Sequence, residues 1–576
     1  MFNKLKLPKN EIIDVLSGYK SVFITIGFFS AIINVMMLIP ALYMLQVYDR
    51  VLASQNQTTL LMLTLMIVAA YLVLSVLEFI RSVVLIRVSS RMDMQLNKRV
   101  YTAAFEQNLK TSGVNSGQFL QDLTTIRQFV GGNALFAFFD APWFPVYLFV
   151  IFLFDTSLGL FALFGAVLLM ILAVVNNLLS RKTLAEANSM AVKANTLATN
   201  NLRNAEAIEA MGMLPNLMSR WFNIQSKFLQ LQGEASEKAG IVSAISKFVR
   251  ISLQSLVLGF GALLVLENKI TPGMMIVASV LMGRILSPVE QLIGVWNSLS
   301  GAKSAYLRLT ELLNANPPRE MGMPLSKPIG NLSIEGVSVI PPEAEVTALR
   351  NISFSIVPKD VLCVIGPSGA GKSTLARVLV GIWPLVAGHV RLDGADVFQW
   401  DKAELGPYIG YLPQDIELFA GTVSENIARF GEVDPEKVMQ AAKRSGGHEM
   451  ILRFPQGYDT LLGDGGAGLS GGQKQRLGLA RAMYDDPSLI VLDEPNSNLD
   501  DAGEQALVNA IHDLQQRGKT IVMITHRNNI VALSNKLLLL VDGGVKLFGP
   551  REEVLTAISK LNQHKVTPLR KEQNLK

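Results

Sequence analysis

Residues 366–373 carry the clearest chemical signal in the chain. They fit the pattern G-x-x-x-x-G-K-S, between an apolar run that predicts a strand and a run that predicts a helix. Glycine lets backbone N–H groups turn toward phosphates, and the helix N-terminus adds a positive dipole end. We expect Lys372 to reach the outer phosphates and Ser373 to coordinate Mg²⁺. The expected nucleotide contacts are Gly366, Pro367, Ser368, Gly369, Ala370, Gly371, Lys372, Ser373 and Thr374.

Two adjacent carboxylates, Asp493 and Glu494, follow a second apolar run at 489–492. A carboxylate that ends a strand beside a phosphate-binding loop can hold magnesium, so we predict Asp493 as a metal ligand. Glu494 is placed to polarise an attacking water, which makes it the predicted general base. In isolation these residues would indicate only a capped strand end. The phosphate-binding loop upstream favours the chemical interpretation.

A second glycine-rich segment lies 20 residues before Asp493 and precedes a predicted helix. It provides another helix N-terminus suited to an anion. One nucleotide has no need of two phosphate cradles from the same subunit, so we expect two copies of the chain to bring them together. The residues of this segment are Leu469, Ser470, Gly471, Gly472 and Gln473.

With these residues the chain resembles the ATP-binding-cassette family, whose signature is Leu-Ser-Gly-Gly-Gln. The resemblance covers residues 332 to about 553 and implies that two ATP molecules are sandwiched between two subunits of a homodimer. Gln414 resembles the glutamine that contacts the metal and couples the nucleotide to the membrane domain. Asp500 lies in the segment that links the two sites, and His526 resembles the switch histidine that senses the γ-phosphate.

Two segments depart from the family pattern. Exporter cassettes usually have an aromatic residue upstream of the phosphate-binding loop to stack on adenine, but residues 337–342 contain none. A Thr-x-x-Gly-Glu pattern is common just before the signature, whereas this chain has Asp464 in place of the glutamate. The first difference predicts loose selectivity for adenine; the second preserves the acidic character on a shorter side chain.

The composition indicates a membrane protein. Hydrophobic residues make up 50% of the chain, charged residues 17%, and the mean hydropathy is +0.33. A soluble globular chain usually carries about 25% charge. Apolar runs approach the roughly 20 residues needed to cross about 30 Å of hydrocarbon as a helix. The six predicted spans are residues 21–45, 58–78, 130–154, 156–180, 248–267 and 270–296.

Basic residues are unevenly distributed between the predicted spans. They are frequent before the first span and in two long stretches, from Arg81 to Arg127 and from Arg181 to Arg250. The three short connections contain only Arg50 and Lys269. This asymmetry places the N-terminus, both long stretches and everything after the sixth span in the cytoplasm. The long stretches have few helix breakers, which predicts helices that extend from the membrane and turn near 113–121 and 201–212.

Two charged residues, Asp140 and Arg284, interrupt apolar runs. Inside a membrane each would cost roughly 2.5 to 3.5 kcal/mol on insertion scales, so such residues normally face protein or water. Both are candidates to line a transport pathway. The alternatives remain open, because Asp140 could sit at a span boundary beside Pro142, and Arg284 could extend to the interface.

These patterns together predict a multi-domain membrane protein: a six-helix transmembrane exporter-type domain followed by an α/β P-loop ABC nucleotide-binding domain. The predicted divisions are a cytoplasmic N-terminal segment at 1–20, the transmembrane domain at 21–311, a proline-rich linker at 312–331, the ATPase domain at 332–560 and a polar tail at 561–576.

At a finer level the chain resembles the type I secretion transporters of the protease and lipase exporter group, in residues 139–143 and 204–212 and in its short N-terminal segment. The resemblance implies a homodimer in the inner membrane of a Gram-negative bacterium, with ATP and Mg²⁺ as cofactors. It also implies a periplasmic adaptor (membrane fusion) protein and an outer-membrane channel as partners. The expected cargo is an unfolded protein with a C-terminal secretion signal.

Three other functions share parts of this pattern. A half-transporter for lipids or drugs would use the same ATPase with a different pathway. A soluble cassette ATPase of DNA repair or translation conflicts with the six apolar spans, so no nucleic-acid partner is expected. A nucleotide-gated channel is the third alternative. A narrow polar tunnel would favour protein export, and a deep apolar cavity would favour lipids or drugs.

Overall fold

The computed structural model describes residues 11–111, 117–318, 324–342 and 344–565. Contacts divide the chain into two compact units, one formed by residues 1–108 and 113–318 and one containing the residues from 319 onward. Residues 1–10 of the predicted N-terminal segment and 566–576 of the predicted tail lie outside the described part of the chain.

In its described residues, the first unit contains six helical segments that are long and apolar enough to cross a membrane. We number them spans 1 to 6, and each overlaps one of the predicted apolar runs. Their bounds are Lys20–Ser54, Gln57–Lys110, Asn133–Phe154, Thr156–Arg203, Leu214–Leu266 and Pro272–Trp296.

Spans 1 and 3 are interrupted where proline removes a backbone donor. Span 3 consists of Asn133–Asp140, a 3₁₀ turn at Ala141–Trp143 that contains Pro142, and Phe144–Phe154. Span 1 is a series of four pieces, the third of them a π-helix. These pieces are Lys20–Met36, Ile39–Gln46, Val47–Val51 and Leu52–Ser54.

The long stretches between spans are helical, as the sequence predicts. Span 2 runs for 54 residues, or about 81 Å at 1.5 Å per residue, against about 30 Å of hydrocarbon. Spans 4 and 5 form the second excursion, joined through a short helix, Ala205–Ala210, inside the predicted turn. A further helix, Gly117–Gly131, precedes span 3. A single helix therefore continues from each of spans 2, 4 and 5 well beyond the length needed to cross a membrane.

Large apolar side chains remain exposed along the outer faces of the spans. Leu72 exposes 66% of its surface, Leu178 71% and Leu266 81%. Surfaces of this kind, repeated along several helices, are typical of contact with lipid rather than water. The burial pattern thus agrees with the composition in indicating a membrane-embedded unit.

A buried ion pair connects the helix Gly117–Gly131 to the sixth helix of this unit. That helix runs from Pro272 to Ala315, and so extends beyond the end of span 6 at Trp296. The carboxylate of Asp122 accepts from Arg308 Nε at 2.8 Å and Nη2 at 2.6 Å. Asp122 is almost fully buried, whereas Arg308 is partly exposed. The pair lies beside an apolar cluster that includes Leu123 and Leu309.

Removing the arginine should destabilise this unit. We expect Arg308→Ala to cost about 3 kcal/mol, because it leaves the buried Asp122 carboxylate without its ionic partner. The melting temperature of the detergent-solubilised protein should therefore fall by several degrees. Lys269→Ala, which removes an exposed ion pair with Glu267 in the same unit, is the matched control and should change it little. Equal effects of the two changes would contradict the assignment.

The described residues of the second unit form an α/β fold built on three sheets. The strands are β1 Leu332–Val339, β2 Leu349–Ile356, β3 Val361–Ile365, β4 Ala387–Leu392, β5 Ala395–Asp396, β6 Ile409–Leu412, β7 Gly421–Thr422, β8 Leu461–Leu462, β9 Leu489–Asp493, β10 Thr520–Ile524, β11 Lys536–Val541 and β12 Gly544–Pro550. A six-stranded sheet has the order β12-β11-β3-β10-β9-β6, in which β12 alone is antiparallel to its neighbour. An antiparallel sheet has the order β2-β1-β4-β5, and β7 pairs with β8.

Helices cover the parallel sheet, and its central strands β3, β9 and β10 are almost wholly buried. This explains why they appear in the sequence as continuous apolar runs. The parallel strands end at one edge, where phosphate-binding loops form. The helices are Lys372–Leu379, Lys402–Leu405, Val423–Ile427, Pro435–Arg444, His448–Leu452, Gly471–Met483, Asp501–Gln516, Asn528–Val531 and Arg551–Lys565.

Two predicted boundaries differ from the helices that the structure shows. The linker was expected from residue 312, but the sixth helix continues to Ala315 before the prolines end it. The tail was expected from 561, but the last helix, Arg551–Lys565, continues because no glycine or proline occurs before Pro568. In both places the composition becomes polar before the helix ends.

Candidate functional site

The phosphate-binding loop connects β3 to the helix Lys372–Leu379, as the sequence predicts. Gly369 and Gly371 have φ values of +80° and +95°, in the left-handed region that favours glycine. A Cβ atom on Gly366 would lie 2.1 Å from the carbonyl oxygen of Leu540. The path of the loop therefore requires glycine, both for its turn and for its close packing on β11.

Lys372 lies across the loop and is 8% exposed. Its Nζ donates to the carbonyl oxygens of Gly366 and Pro367, each at 2.9 Å. Burial lowers the pKa of Lys372, while the nearby carboxylates of Glu494 and Asp493 act in the opposite direction. The ammonium group is thus held at the loop with two carboxylates close to it.

Asp493 ends β9, is 2% exposed, and accepts a hydrogen bond from the Ser373 side chain. Burial raises the pKa of this carboxyl group. Its Oδ1 atom has no hydrogen-bond partner among the described residues. A buried, unpaired carboxylate oxygen beside a serine hydroxyl fits Mg²⁺, which prefers oxygen ligands and commonly uses only one or two carboxylates where phosphates complete its shell.

Glu494 directly follows Asp493 in a left-handed conformation, with a φ of +49°. Its N–H donates to the carbonyl oxygen of Ile524 at 2.9 Å, which ties it to the end of β10. His526 lies just beyond the end of β10 and is exposed. Because β10 is adjacent and parallel to β9, this places His526 at the same edge of the sheet as Glu494. Gln414 follows β6, on the other side of β9, and is also exposed. The topology thus brings these residues to one edge of the sheet.

The signature segment caps the helix Gly471–Met483. Ser470 Oγ accepts from the Gln473 N–H at 3.3 Å, and Gln473 Oε1 accepts from the Ser470 N–H at 2.8 Å. This reciprocal capping box leaves the other backbone donors of the first turn free for a ligand. A Cβ atom on Gly472 would lie 2.8 Å from the carbonyl oxygen of Asn498, so the close approach of that loop requires glycine. Leu469 packs against an apolar cluster.

Ser470, Gly472 and Gln473 line a cavity of about 520 Å³ together with Arg476 and Asp500. Arg476 forms a short ion pair with Asp500, and Asp500 also accepts from the Gly503 N–H at 2.9 Å. These contacts lower the pKa of Asp500, with the Gly503 N–H as the main cause.

The phosphate-binding loop is not among the residues that line this cavity in the described part of the unit. One copy therefore has two separate anion-binding helix N-termini.

Asp140 and Arg284 line one cavity of about 570 Å³ in the membrane unit. Asp140 Oδ1 accepts from Arg81 Nη1 and from Asn34 Nδ2, each at 2.9 Å. The network continues through the Tyr147 hydroxyl, which donates to Asn34 at 2.8 to 2.9 Å. Asp140 is therefore part of a polar network among spans 1, 2 and 3.

Sequence reasoning missed two residues of these sites. Arg81 was counted with the basic residues of the cytoplasmic stretch, and its 6% exposure and its ion pair with Asp140 were not predicted. An isolated carboxylate inside a span normally has a cationic partner, and this rule could have singled out Arg81. Arg476 follows Gln473 by three residues, and this helical spacing could have placed it on the signature face.

Comparisons with known families match both units. Residues 23–289 match the family described as the ABC transporter transmembrane region, and residues 349–497 match the family described as ABC transporter. The chain is 40% identical over 550 residues to the type I secretion system ATP-binding protein PrsD of Rhizobium meliloti, covering 95% of this chain and 94% of that protein.

A second relative is the cyclolysin secretion/processing ATP-binding protein CyaB of Bordetella pertussis. It is 28% identical over 543 residues, covering 92% of this chain and 75% of that protein. Among solved structures, a bacterial Atm1-family ABC exporter with ATP bound aligns with a TM-score of 0.79 at 21% identity, covering 96% of this chain and 99% of that one. The fold class predicted from the sequence is thereby confirmed.

Proposed function

The chain belongs to the ABC transporters, within the type I secretion ATP-binding proteins, and from this premise we propose that it exports an unfolded protein across the bacterial inner membrane at the expense of ATP. The family resemblance drawn from the sequence is confirmed by this membership. The observation that carries the proposal is a similarity that extends over almost the whole chain, membrane unit included, rather than over the ATPase alone.

In the proposed ATPase site, residues 366–374 wrap the phosphates and Lys372 neutralises part of their charge. Glu494 accepts a proton from the attacking water, because its carboxylate follows the strand end beside the loop. His526 senses the γ-phosphate from the end of β10, and Gln414 contacts the metal and reports nucleotide occupancy to the membrane domain. These roles rest on the family motifs and on the shared sheet edge.

The donor set supports a role for Mg²⁺. Ser373 and the unpaired Oδ1 of Asp493 would hold the ion, with Gln414 as a further ligand. When bound, Mg²⁺ would neutralise charge on the phosphate oxygens during phosphoryl transfer. The protein's own contribution is to keep the Asp493 carboxylate buried beside Ser373 at the end of β9.

A homodimer accounts for the separation of the two phosphate cradles. Within one copy the signature residues line a cavity without the phosphate-binding loop. We therefore assign residues 469–473 and Asp500 to the nucleotide held by the second copy, so that the dimer has two sites. The six helices and the positive charge of the stretches between them fit a multi-pass inner-membrane protein with its ATPase domain in the cytoplasm.

The relatives' names point to secretion of proteins, which favours protein cargo over lipids or drugs. We propose that a periplasmic adaptor protein and an outer-membrane channel complete the system, and that Asp140 and Arg284 lie on the transport pathway. The cavity that contains them has a mixed lining, in which charged and amide side chains lie among apolar ones, and its charged groups agree with a polypeptide cargo. A lipid or drug exporter would instead favour an apolar chamber.

The cargo assignment can be tested on the full-length protein in lipid nanodiscs. We expect the ATPase rate to change when the C-terminal segment of a secreted protein encoded beside this chain is added. The same segment without its terminal residues is the control and should have no effect. If added lipids stimulate hydrolysis and the intact segment does not, the lipid-exporter alternative would replace the secretion proposal.

A further inference from the structure

Arg284 is a charged residue of the membrane cavity that has no ionic partner among the residues that the structure describes. Asp140 is already neutralised by Arg81 and takes a second hydrogen bond from Asn34. Arg284 makes no hydrogen bond or ion pair with the described residues. Glu78 also lines the cavity but forms no ion pair with Arg284 across the part of the unit that the structure describes. The cavity therefore presents a free guanidinium group.

The depth of Arg284 makes this arrangement costly. It lies twelve residues into the helix that begins at Pro272, or about 18 Å at 1.5 Å per residue, within a segment long and apolar enough to cross a membrane. The arginine is only partly exposed and lines the cavity. A cation held at this depth favours an anionic group that enters the cavity.

Polar groups beside Arg284 form a stripe on the same helix. Ser287 and Gln291 follow it at spacings of three and seven residues, which places all three on one face, and all three line the cavity. Gln291 Nε2 donates to Ser287 Oγ at 3.2 Å, which leaves its other N–H available. The planar guanidinium group of Arg284 can bind a carboxylate through two parallel hydrogen bonds. The neutral donors of Ser287 and Gln291 lie beside it on the same face.

We propose that Arg284, with Ser287 and Gln291 beside it, binds a carboxylate of the transported polypeptide as it passes through the membrane unit. The inference rests on the proposed export function, because it needs a polypeptide in the cavity. The carboxylate belongs either to an acidic side chain or to the C-terminus of the cargo. The charge of Asp140 is already compensated by Arg81 and Asn34, which leaves Glu78 as the other carboxylate that lines the cavity with Arg284.

Peptide binding to the full-length protein in nanodiscs tests this site. Three rhodamine-labelled ten-residue peptides serve as probes: one with four glutamates and an amidated C-terminus, its glutamine counterpart with the same amide, and the glutamine peptide with a free C-terminus. Fluorescence anisotropy should show about tenfold tighter binding of at least one carboxylate-bearing peptide than of the neutral one. The two carboxylate peptides distinguish side-chain from C-terminal recognition.

Variants then connect the preference to the residue. Arg284→Gln should abolish it, and Arg284→Glu should reverse it in favour of a peptide with four lysines. Arg87→Gln, which removes an exposed charge of the same unit outside the cavity, is the matched control and should keep the preference. A wild-type protein that binds all three peptides alike, or none, would overturn the proposed site.

Unchanged preference in Arg284→Gln would overturn it as well. Stimulation of the ATPase by the cargo segment in the same preparations would show that the export function stands even if this site fails.

Discussion

Replacing Glu494 by glutamine is expected to lower the rate of ATP hydrolysis by a factor of about 100 to 10,000, while ATP still binds. The amide keeps the size of the side chain but cannot accept the proton of the attacking water. The phosphate contacts come from residues 366–374, which the substitution leaves in place. Because the Glu494 N–H bonds to Ile524, its backbone position should also be retained.

The measurement pairs phosphate release with equilibrium ATP binding on the purified protein. Glu432→Gln, an equally conservative change at an exposed position away from the sheet edge, is the control and should hydrolyse ATP normally. A Glu494→Gln protein with wild-type turnover would remove the general-base role. Loss of binding together with hydrolysis would instead indicate that Glu494 helps to build the phosphate site.

The chemistry of the ATPase unit could be predicted from sequence because its signals are local. A glycine-rich loop, its lysine and the strand before it are contiguous, and their backbone geometry follows from residue type, as the positive φ values of Gly369 and Gly371 illustrate. The same applies to Asp493, since a buried strand and the carboxylate at its end are neighbours in the chain. Such motifs need no knowledge of distant contacts.

The polar network of the membrane unit could not be predicted in this way. Arg81 and Asp140 are 59 residues apart in the chain, and hydropathy alone places Arg81 in a loop. Span 2 instead continues without a break through this position, which turns the arginine into the cavity. The helices likewise continue past the predicted starts of the linker at 312 and the tail at 561, because the composition becomes polar before each helix ends. Pairing across helices depends on packing that residue order does not show.

The proposed sharing of each nucleotide between two copies leads to a prediction about mixed dimers. Lys372→Ala removes the lysine proposed to bind phosphate, and Gly472→Val places side-chain atoms where the signature closely approaches the Asn498 carbonyl oxygen. Each variant alone should be nearly inactive, because both of its sites contain a defect. In a mixed dimer the intact loop of one chain meets the intact signature of the other. Random 1:1 assembly would then restore about a quarter of wild-type sites, since half of the dimers are mixed and each has one sound site.

Co-expressed, differently tagged chains purified through both tags would give the mixed dimer directly, and recovered phosphate release would also show that both variants fold. A pairing of Lys372→Ala with Glu494→Gln is the decisive control. Both of those changes lie on the loop side of the site, so each site of that mixed dimer keeps one defect and no activity should return. If Gly472→Val hydrolyses ATP normally by itself, the signature does not act on a partner's nucleotide. Rescue in the first pairing and not in the second requires that each nucleotide be held by two chains, because a site formed within one chain could not distinguish the two mixtures.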